Sequence, residues 1–260
     1  MGPSEVHAPS NADADLYLVG AGIAFPDHLT IQTIEILSRC EEIYTNLSDD
    51  QLQALPPDLR AKCVSIWSLY RDERDRTENY KDVTEAIIGR VMSLRPFGWM
   101  TPGHPLVFDS VSQALIKAGE ERGWQVRVVP GISSLDTIFA EVGYDPANGL
   151  IVYEANALVK NNVPILPNLA ALLLQPALFG TDRAHLSGSW QPDLVPLRDY
   201  ICQFHAPDHD CAFVWSSHSR DGRHKIWWCK LGGLESIPPE ARGSTLFIPP
   251  AGSSFSESAR

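Results

Sequence analysis

Leu16-Tyr17-Leu18-Val19-Gly20-Ala21-Gly22 sets four apolar residues against Gly-Ala-Gly. A short apolar run stopped by glycines reads as a buried strand that ends in a tight turn. Leu29, Ile31, Ile34, Ile36 and Leu37 follow, with Pro26 ahead of them, and predict a helix over 29–38. The same alternation continues, with strands expected at 42–45, 64–70, 97–100 and 125–129. Helices are expected at 83–94 and 111–123, and the charged stretch 71–82 reads as a loop. Strand alternating with helix over about the first 130 residues signals a mostly parallel sheet with helices on both faces. After Ala147-Asn148-Gly149 the texture changes. Strands are expected at 150–153, 177–179, 212–215, 226–230 and 244–248, with helices near 168–174 and 196–204. The fold class is therefore α/β in two domains. Residues 14–135 form an N-terminal α/β domain and 136–250 a mixed α/β domain with a larger antiparallel share. A disordered segment, 1–13, and a Ser-rich disordered tail, 251–260, flank them.

Composition narrows the function. The 260 residues are 44% apolar and carry 21 Lys and Arg against 32 Asp and Glu, a net charge of −11. An acidic chain argues against a general nucleic-acid binder, which needs a basic face for phosphates. The longest unbroken apolar run, Leu169–Leu174, is six residues, far short of the roughly 18–20 that cross a bilayer. No basic segment followed by an apolar one opens the sequence, so secretion by a signal peptide is not expected. Five cysteines without a CxxC pair suit buried thiols in a reducing cytoplasm better than a disulfide framework.

Several clusters could carry chemistry. Gly20-Ala21-Gly22 lacks the third glycine of a dinucleotide fingerprint, because Phe25 and Pro26 stand there. Cys202, His205, His209 and Cys211 suggest zinc by residue type. All four lie on one short segment, so a helix end, a Pro207-Asp208-His209 turn and a strand entry explain them as well. Tyr70, Arg76 and Tyr80 bracket the charged run 71–82; if it is helical, Arg76 and Tyr80 project from one face. Two phenols and a guanidinium at the mouth of a sheet would suit an oxyanion. Thr101-Pro102-Gly103-His104-Pro105 and Val129-Pro130-Gly131-Ile132-Ser133-Ser134 place glycines and hydroxyls after strands, where backbone can approach a ligand closely.

Taken together, these segments resemble the tetrapyrrole methylase superfamily, which transfers methyl groups from S-adenosyl-L-methionine (SAM), releasing S-adenosylhomocysteine (SAH). The matching stretches are Leu16–Gly22 with Pro26 and Leu29, Gly103-His104-Pro105 with Val107-Phe108, and Pro130-Gly131-Ile132-Ser133. Gln175, Pro207-Asp208-His209 and Ser244-Thr245-Leu246-Phe247-Ile248-Pro249-Pro250 complete the set. A narrower resemblance is to borosin α-N-methyltransferases, which methylate backbone amides of ribosomally made peptides. It rests on Asp136, Phe139-Ala140-Glu141, Gly143-Tyr144-Asp145-Pro146, Tyr153-Glu154-Ala155 and the closing strand. The catalytic Tyr, Arg and Tyr of that family follow the spacing of Tyr70, Arg76 and Tyr80. The resemblance implies SAM contacts from Gly103, His104, Val107, Phe108, Ser133, Ser134, Gln175, Ser244 and Thr245, with no metal. It also implies a homodimer. The family usually has an aromatic residue where Pro102 stands and a glycine where Leu106 stands. Fused borosins carry their substrate as a C-terminal extension, whereas 251–260 holds no apolar run that resembles one. A split enzyme acting on a separate precursor peptide, or a truncated chain, is implied.

An amide nitrogen is a poor nucleophile because its lone pair is delocalised into the carbonyl, the origin of the ~18–20 kcal/mol rotational barrier. Methylation therefore needs the N–H proton removed while charge moves onto oxygen. Arg76 and Tyr80 are the expected donors to that oxygen, at roughly 2.7–4 kcal/mol per well-placed donor. Tyr70 is the expected proton acceptor, its phenol pKa, ordinarily ~10, depressed by the nearby guanidinium. A C-methyltransferase of corrin or sirohaem precursors is the first alternative; its polyanionic substrate would want a basic cleft. A catalytically silent scaffold on the same fold is the second.

Overall fold

A computed structural model describes residues 14–188, 190–219, 222–236, 238–241 and 243–253. Residues 1–13 and 254–260, expected to be disordered, lie outside this set. Ala251 is within it, and its N–H donates to the Pro167 carbonyl at 2.6 Å. The chain divides into two compact units. The first holds the residues through Gly22, His28–Tyr70 and Thr77–Ile132; the second holds Ile23–Asp27, Arg71–Arg76 and the chain from Ser133 onward. The division after Ile132 falls three residues before the one expected from sequence, and two short excursions of the N-terminal chain belong to the second unit.

In the first unit β1 (Leu16–Gly20), β2 (Glu42–Thr45), β3 (Cys63–Ser65), β4 (Phe97–Thr101) and β5 (Val126–Val129) form one sheet in the order β3-β2-β4-β1-β5. Every pairing is parallel. All residues of β1 and β4 are buried, which is why these strands read as unbroken apolar runs. Phe97 and Trp99 on one face pack with Val83, Ile87 and Val91 of α4 (Arg76–Ser93) and Val111 and Leu115 of α5 (Ser110–Arg122). On the other face Gly98 is closed over by Leu37 of α1 (Ile31–Arg39) and by Cys40. Short helices α2 (Asp49–Leu52) and α3 (Pro57–Arg60) fill the β2–β3 connection.

Three boundaries differ from the sequence reading, each for a physical reason. Helix α1 starts at Ile31 rather than 29 because the Thr30 hydroxyl caps it, accepting from the Thr33 N–H. The strand expected over 64–70 ends at Ser65 and gives way to a 3-10 turn, Trp67–Leu69. Leu69 and Tyr70 N–H groups bond back to Ile66 and Trp67. Helix α4 begins at Arg76, not 83. Its first two turns are so polar that the pattern hides, yet Asn79, Val83, Ile87 and Val91 are buried at four-residue steps.

In the second unit β6 (Leu150–Glu154), β7 (Ala170–Leu174), β8 (Asp210–Trp215), β9 (Lys225–Lys230) and β10 (Thr245–Ile248) form a mixed sheet ordered β6-β7-β10-β8-β9. Only β6 and β7 pair in parallel; the other three pairings are antiparallel. Residues 168–174, expected to be helical, are instead strand β7. An apolar run without alternation fits either element, and here both faces are buried. Ala171 and Leu173 join one core cluster while Ala170 and Leu172 join another. The strand expected at 177–179 is a 3-10 turn, Pro176–Leu178. Helices α6 (Ser134–Val142), α7 (Ala155–Lys160) and α8 (Val195–Ile201) flank the sheet. The first two were not foreseen, although Ser133 and Asp136 form a capping box that announces α6.

Candidate active site

Tyr70 sits at the end of the 3-10 turn in extended backbone, and Tyr80 one turn into α4. Both pack against the core cluster of the first unit. The Trp67 ring lies 5.3 Å from that of Tyr70. Burial pushes the Tyr70 phenol well above the ordinary tyrosine range; Tyr80 and Asp109 raise it further, and a hydrogen bond with the Asn46 side chain partly offsets them. The sequence reading had this phenol depressed by the Arg76 guanidinium, and the structure corrects that: desolvation disfavours the phenolate, and no cation is among its causes. Beside it, Asp109 caps α5 by accepting from the Ser112 N–H at 2.9 Å. Asp109 Oδ2 and Asn46 Oδ1 are buried acceptors without a hydrogen-bond partner among the described residues. Tyr80 also lines an open groove of about 460 Å³ between α4 and α5, with Thr77, Lys81, Lys117 and Arg122 among its walls.

Arg76, the first residue of α4, is tied into the second unit. Its backbone N–H donates to Asp182 O at 2.9 Å. Its Nη1 donates to Gln175 Oε1 at 2.9 Å and its Nη2 to Thr181 O at 3.2 Å. Gln175 follows β7 with φ +56°, a left-handed conformation uncommon for a residue other than glycine. The structure thus brings Tyr70 near Tyr80, and Arg76 to Gln175, a residue expected only as a cofactor contact. A guanidinium has five N–H donors, and the two bonds fix its plane while using one each.

Of the expected cofactor residues, Gly103 (φ +70°) exchanges backbone hydrogen bonds with Gly22, at 2.8 and 3.2 Å. Gly20, Gly103 and Gly131, at the carboxyl ends of β1, β4 and β5, touch backbone to backbone. A Cβ on Gly20 would lie 2.5 Å from Gly103 O and 2.6 Å from Gly131 N. Gly20→Ala is therefore expected to push the three strand-end loops apart, at about 1–3 kcal/mol of stability, read as a lower denaturant midpoint with unchanged slope. In the loop that follows, Leu106 N–H donates to His104 Nδ1 at 3.0 Å and Val107 N–H to His104 O at 2.9 Å. Phe108 is half exposed with φ +60°. A bulky side chain held in that region stores of order 1–3 kcal/mol and is characteristic of ligand-binding loops. Ser133 caps α6 and Ser134 is its first residue. Thr245 opens β10 opposite Val214, and the hydroxyl of the neighbouring Ser244 is buried with no partner.

The Cys and His residues over 202–211 do not converge. Cys202 caps the end of α8, His209 Nε2 donates to Pro249 O at 2.8 Å, and Cys211 enters β8. Among the described residues no group of three or more His, Cys, Asp and Glu is placed to hold a metal ion. His205 is buried, its ring centroid 4.6 Å from that of His209 and its Nε2 unpartnered. Burial and then His209 lower its pKa from 6.5 to about 4. The unfolded chain therefore binds this proton first, so the stability His205 lends is full above about 6.5 and is lost as pH falls through about 4. Denaturant midpoints measured across that window should fall with pH, and His205→Gln should flatten the fall.

The family profile described as Tetrapyrrole (Corrin/Porphyrin) Methylases matches residues 15–182. Among curated relatives, the methyltransferase/ribosomally synthesized type III borosin cyclic peptide precursor of Anomoporia bombycina is 25% identical over 195 residues, 75% of this chain and 23% of that one. The methyltransferase/ribosomally synthesized cyclic peptide dendrothelin A precursor of Dendrothele bispora is 26% identical over 239 residues, 90% of this chain and 57% of that one. The chain thus spans between about a quarter and somewhat over half the length of these relatives. Among solved structures, uroporphyrin-III-C-methyltransferase from Thermus thermophilus superposes with a TM-score of 0.60 at 17% identity, over 90% of this chain and 91% of that one. Among the described residues no helix is long and apolar enough to cross a membrane. With its parallel sheet, its mixed sheet and a profile match over more than half its length, the chain belongs to the tetrapyrrole (corrin/porphyrin) methylases.

Proposed function

We propose that the chain is a SAM-dependent methyltransferase that alkylates backbone amide nitrogens of a ribosomally made precursor peptide presented as a separate chain, the enzyme working as a homodimer. The reading is carried by the sequence spacing of Tyr70, Arg76 and Tyr80, and it is supported by the Arg76 guanidinium held by Gln175 and the Thr181 carbonyl. Relatives whose names join a methyltransferase to a cyclic peptide precursor support it. A polyanionic tetrapyrrole would want a basic cleft, and the net charge of −11 does not favour it.

The residues fit SAM. The family resemblance assigns Gly103, His104, Val107, Phe108, Ser133, Ser134, Gln175, Ser244 and Thr245 to it. The buried, unpartnered Ser244 hydroxyl and the left-handed Phe108 are features that a bound ligand would satisfy. Bound SAM would supply an electrophilic methyl group with its own leaving group. The protein's part is to make the amide nitrogen a nucleophile. Tyr70, whose phenol burial keeps protonated, donates to the substrate carbonyl oxygen together with Arg76, so that negative charge gathers there as the N–H is lost. Tyr80, on a groove open to solvent, first gives its phenol proton to water and then, as phenolate, accepts the amide proton. This exchanges the roles that the sequence reading gave the two tyrosines, because a phenol with a raised pKa is a donor rather than a base.

Calorimetric titration with SAM and with SAH tests the class: heat with both is expected, and no heat with either would remove it. Sedimentation at micromolar concentration tests the dimer, and a single-chain mass would contradict it.

A further inference from the structure

Cys211 and Cys229 stand directly opposite each other on antiparallel β8 and β9, with their Sγ atoms 3.5 Å apart. Directly opposed residues point to the same face of a sheet with Cα atoms about 4.5–5.5 Å apart, inside the roughly 4.4–6.8 Å that disulfides span. Reaching a bond of ~2.05 Å needs a sulfur displacement of about 1.5 Å, within the reach of small side-chain rotations. The neighbouring rungs hold the same register. On the adjoining rung Lys230 and Asp210 form an ion pair at 2.7 Å, and on the same face Phe213 is paired with Trp227. Access is asymmetric: Cys211 is buried, whereas Cys229 is half-buried on β9, the end strand of the sheet order.

We propose that Cys211 and Cys229 form a dithiol site that low-molecular-weight disulfides oxidise to a cross-strand bond. Cys229, as thiolate, attacks one sulfur of the small disulfide. That S–S bond breaks, and the departing small thiolate takes up the proton Cys229 gave up. Cys211 then loses its proton and attacks the Cys229 sulfur, forming the intrachain bond and releasing the second small thiol. The protein gives up two electrons and two protons, and one small disulfide becomes two thiols. The order of attack follows from the environment. Cys229, half-buried on the end strand, is the sulfur a small disulfide reaches, and the buried Cys211 follows as the resolving thiol. The other three thiols lack such a partner at this distance among the described contacts. Cys40 and Cys63 are in the first unit, and Cys202 reaches the same core cluster from the end of α8.

The test uses the full native chain and glutathione disulfide, followed by acid quenching, unfolding and alkylation of the remaining thiols. Intact mass should show a loss of two hydrogens and three alkyl labels on the five cysteines, and non-reducing peptide mapping should join the segments holding 211 and 229. Cys202→Ser should give the same link. Cys229→Ser, which leaves the buried Cys211 in place, should give no intrachain link. Five alkyl labels, a glutathione adduct that persists on Cys229, or a link through Cys202 would each overturn the proposal. None of these readouts depends on methyl transfer, so failure here and failure of the proposed activity are separate results.

Discussion

Tyr70→Phe is expected to slow methyl transfer by about 10²–10³-fold, the cost of removing one donor from a developing oxyanion, while leaving SAM affinity within about twofold. The ring packs against the core cluster of the first unit and lies 5.3 Å from Trp67, so phenylalanine keeps the apolar contacts and deletes only the hydroxyl. Burial holds the pKa of that hydroxyl above its ordinary value, which favours the protonated, donating form. The wild-type rate should accordingly show no loss traceable to Tyr70 between neutral pH and the ordinary tyrosine range. Single-turnover rates against pH, with affinity measured separately by calorimetry, check both points. A Phe variant that turns over at the wild-type rate would remove Tyr70 from the mechanism.

Arg76→Ala carries the larger expected effect, about 10³-fold or more in turnover, because a fixed cation is lost along with its donors. Arg76→Lys keeps the charge but not the planar fork that meets Gln175 and Thr181. It should recover only a minor part of the rate. Lost packing alone would be cured by lysine, which carries a similar aliphatic stem; lost orientation would not. Near-complete recovery in Arg76→Lys would show that charge suffices and that the bond to Gln175 is incidental to catalysis.

Much of this arrangement is legible in the sequence, and the failures have particular causes. Strands β1 and β4 are easy to read because both faces are buried, so the apolar runs are continuous and end on glycine. The same two-sided burial misled at β7, where six apolar residues carry no period and a helix seemed equally natural. The polar opening of α4 concealed a helix whose inward face is Asn79 before it is Val83. At the candidate site, the spacing of Tyr70, Arg76 and Tyr80 singles out the residues but says nothing of their environments. That Tyr70 is desolvated, and that Arg76 is bound by Gln175 about a hundred positions later in the chain, are facts of tertiary structure with no local signal. The expected depression of the Tyr70 phenol by Arg76 failed for that reason.

Incubation of the protein with SAM carrying an isotopically labelled methyl group and a library of synthetic peptides of unrestricted sequence, read by fragmentation mass spectrometry, addresses the reaction itself. The account predicts label on backbone nitrogens of peptides supplied in trans, with transfer by Arg76→Ala lower by about 10³-fold or more. Label found on carbon of a uroporphyrinogen added in parallel, or no labelled peptide from a protein that binds SAM, would contradict it.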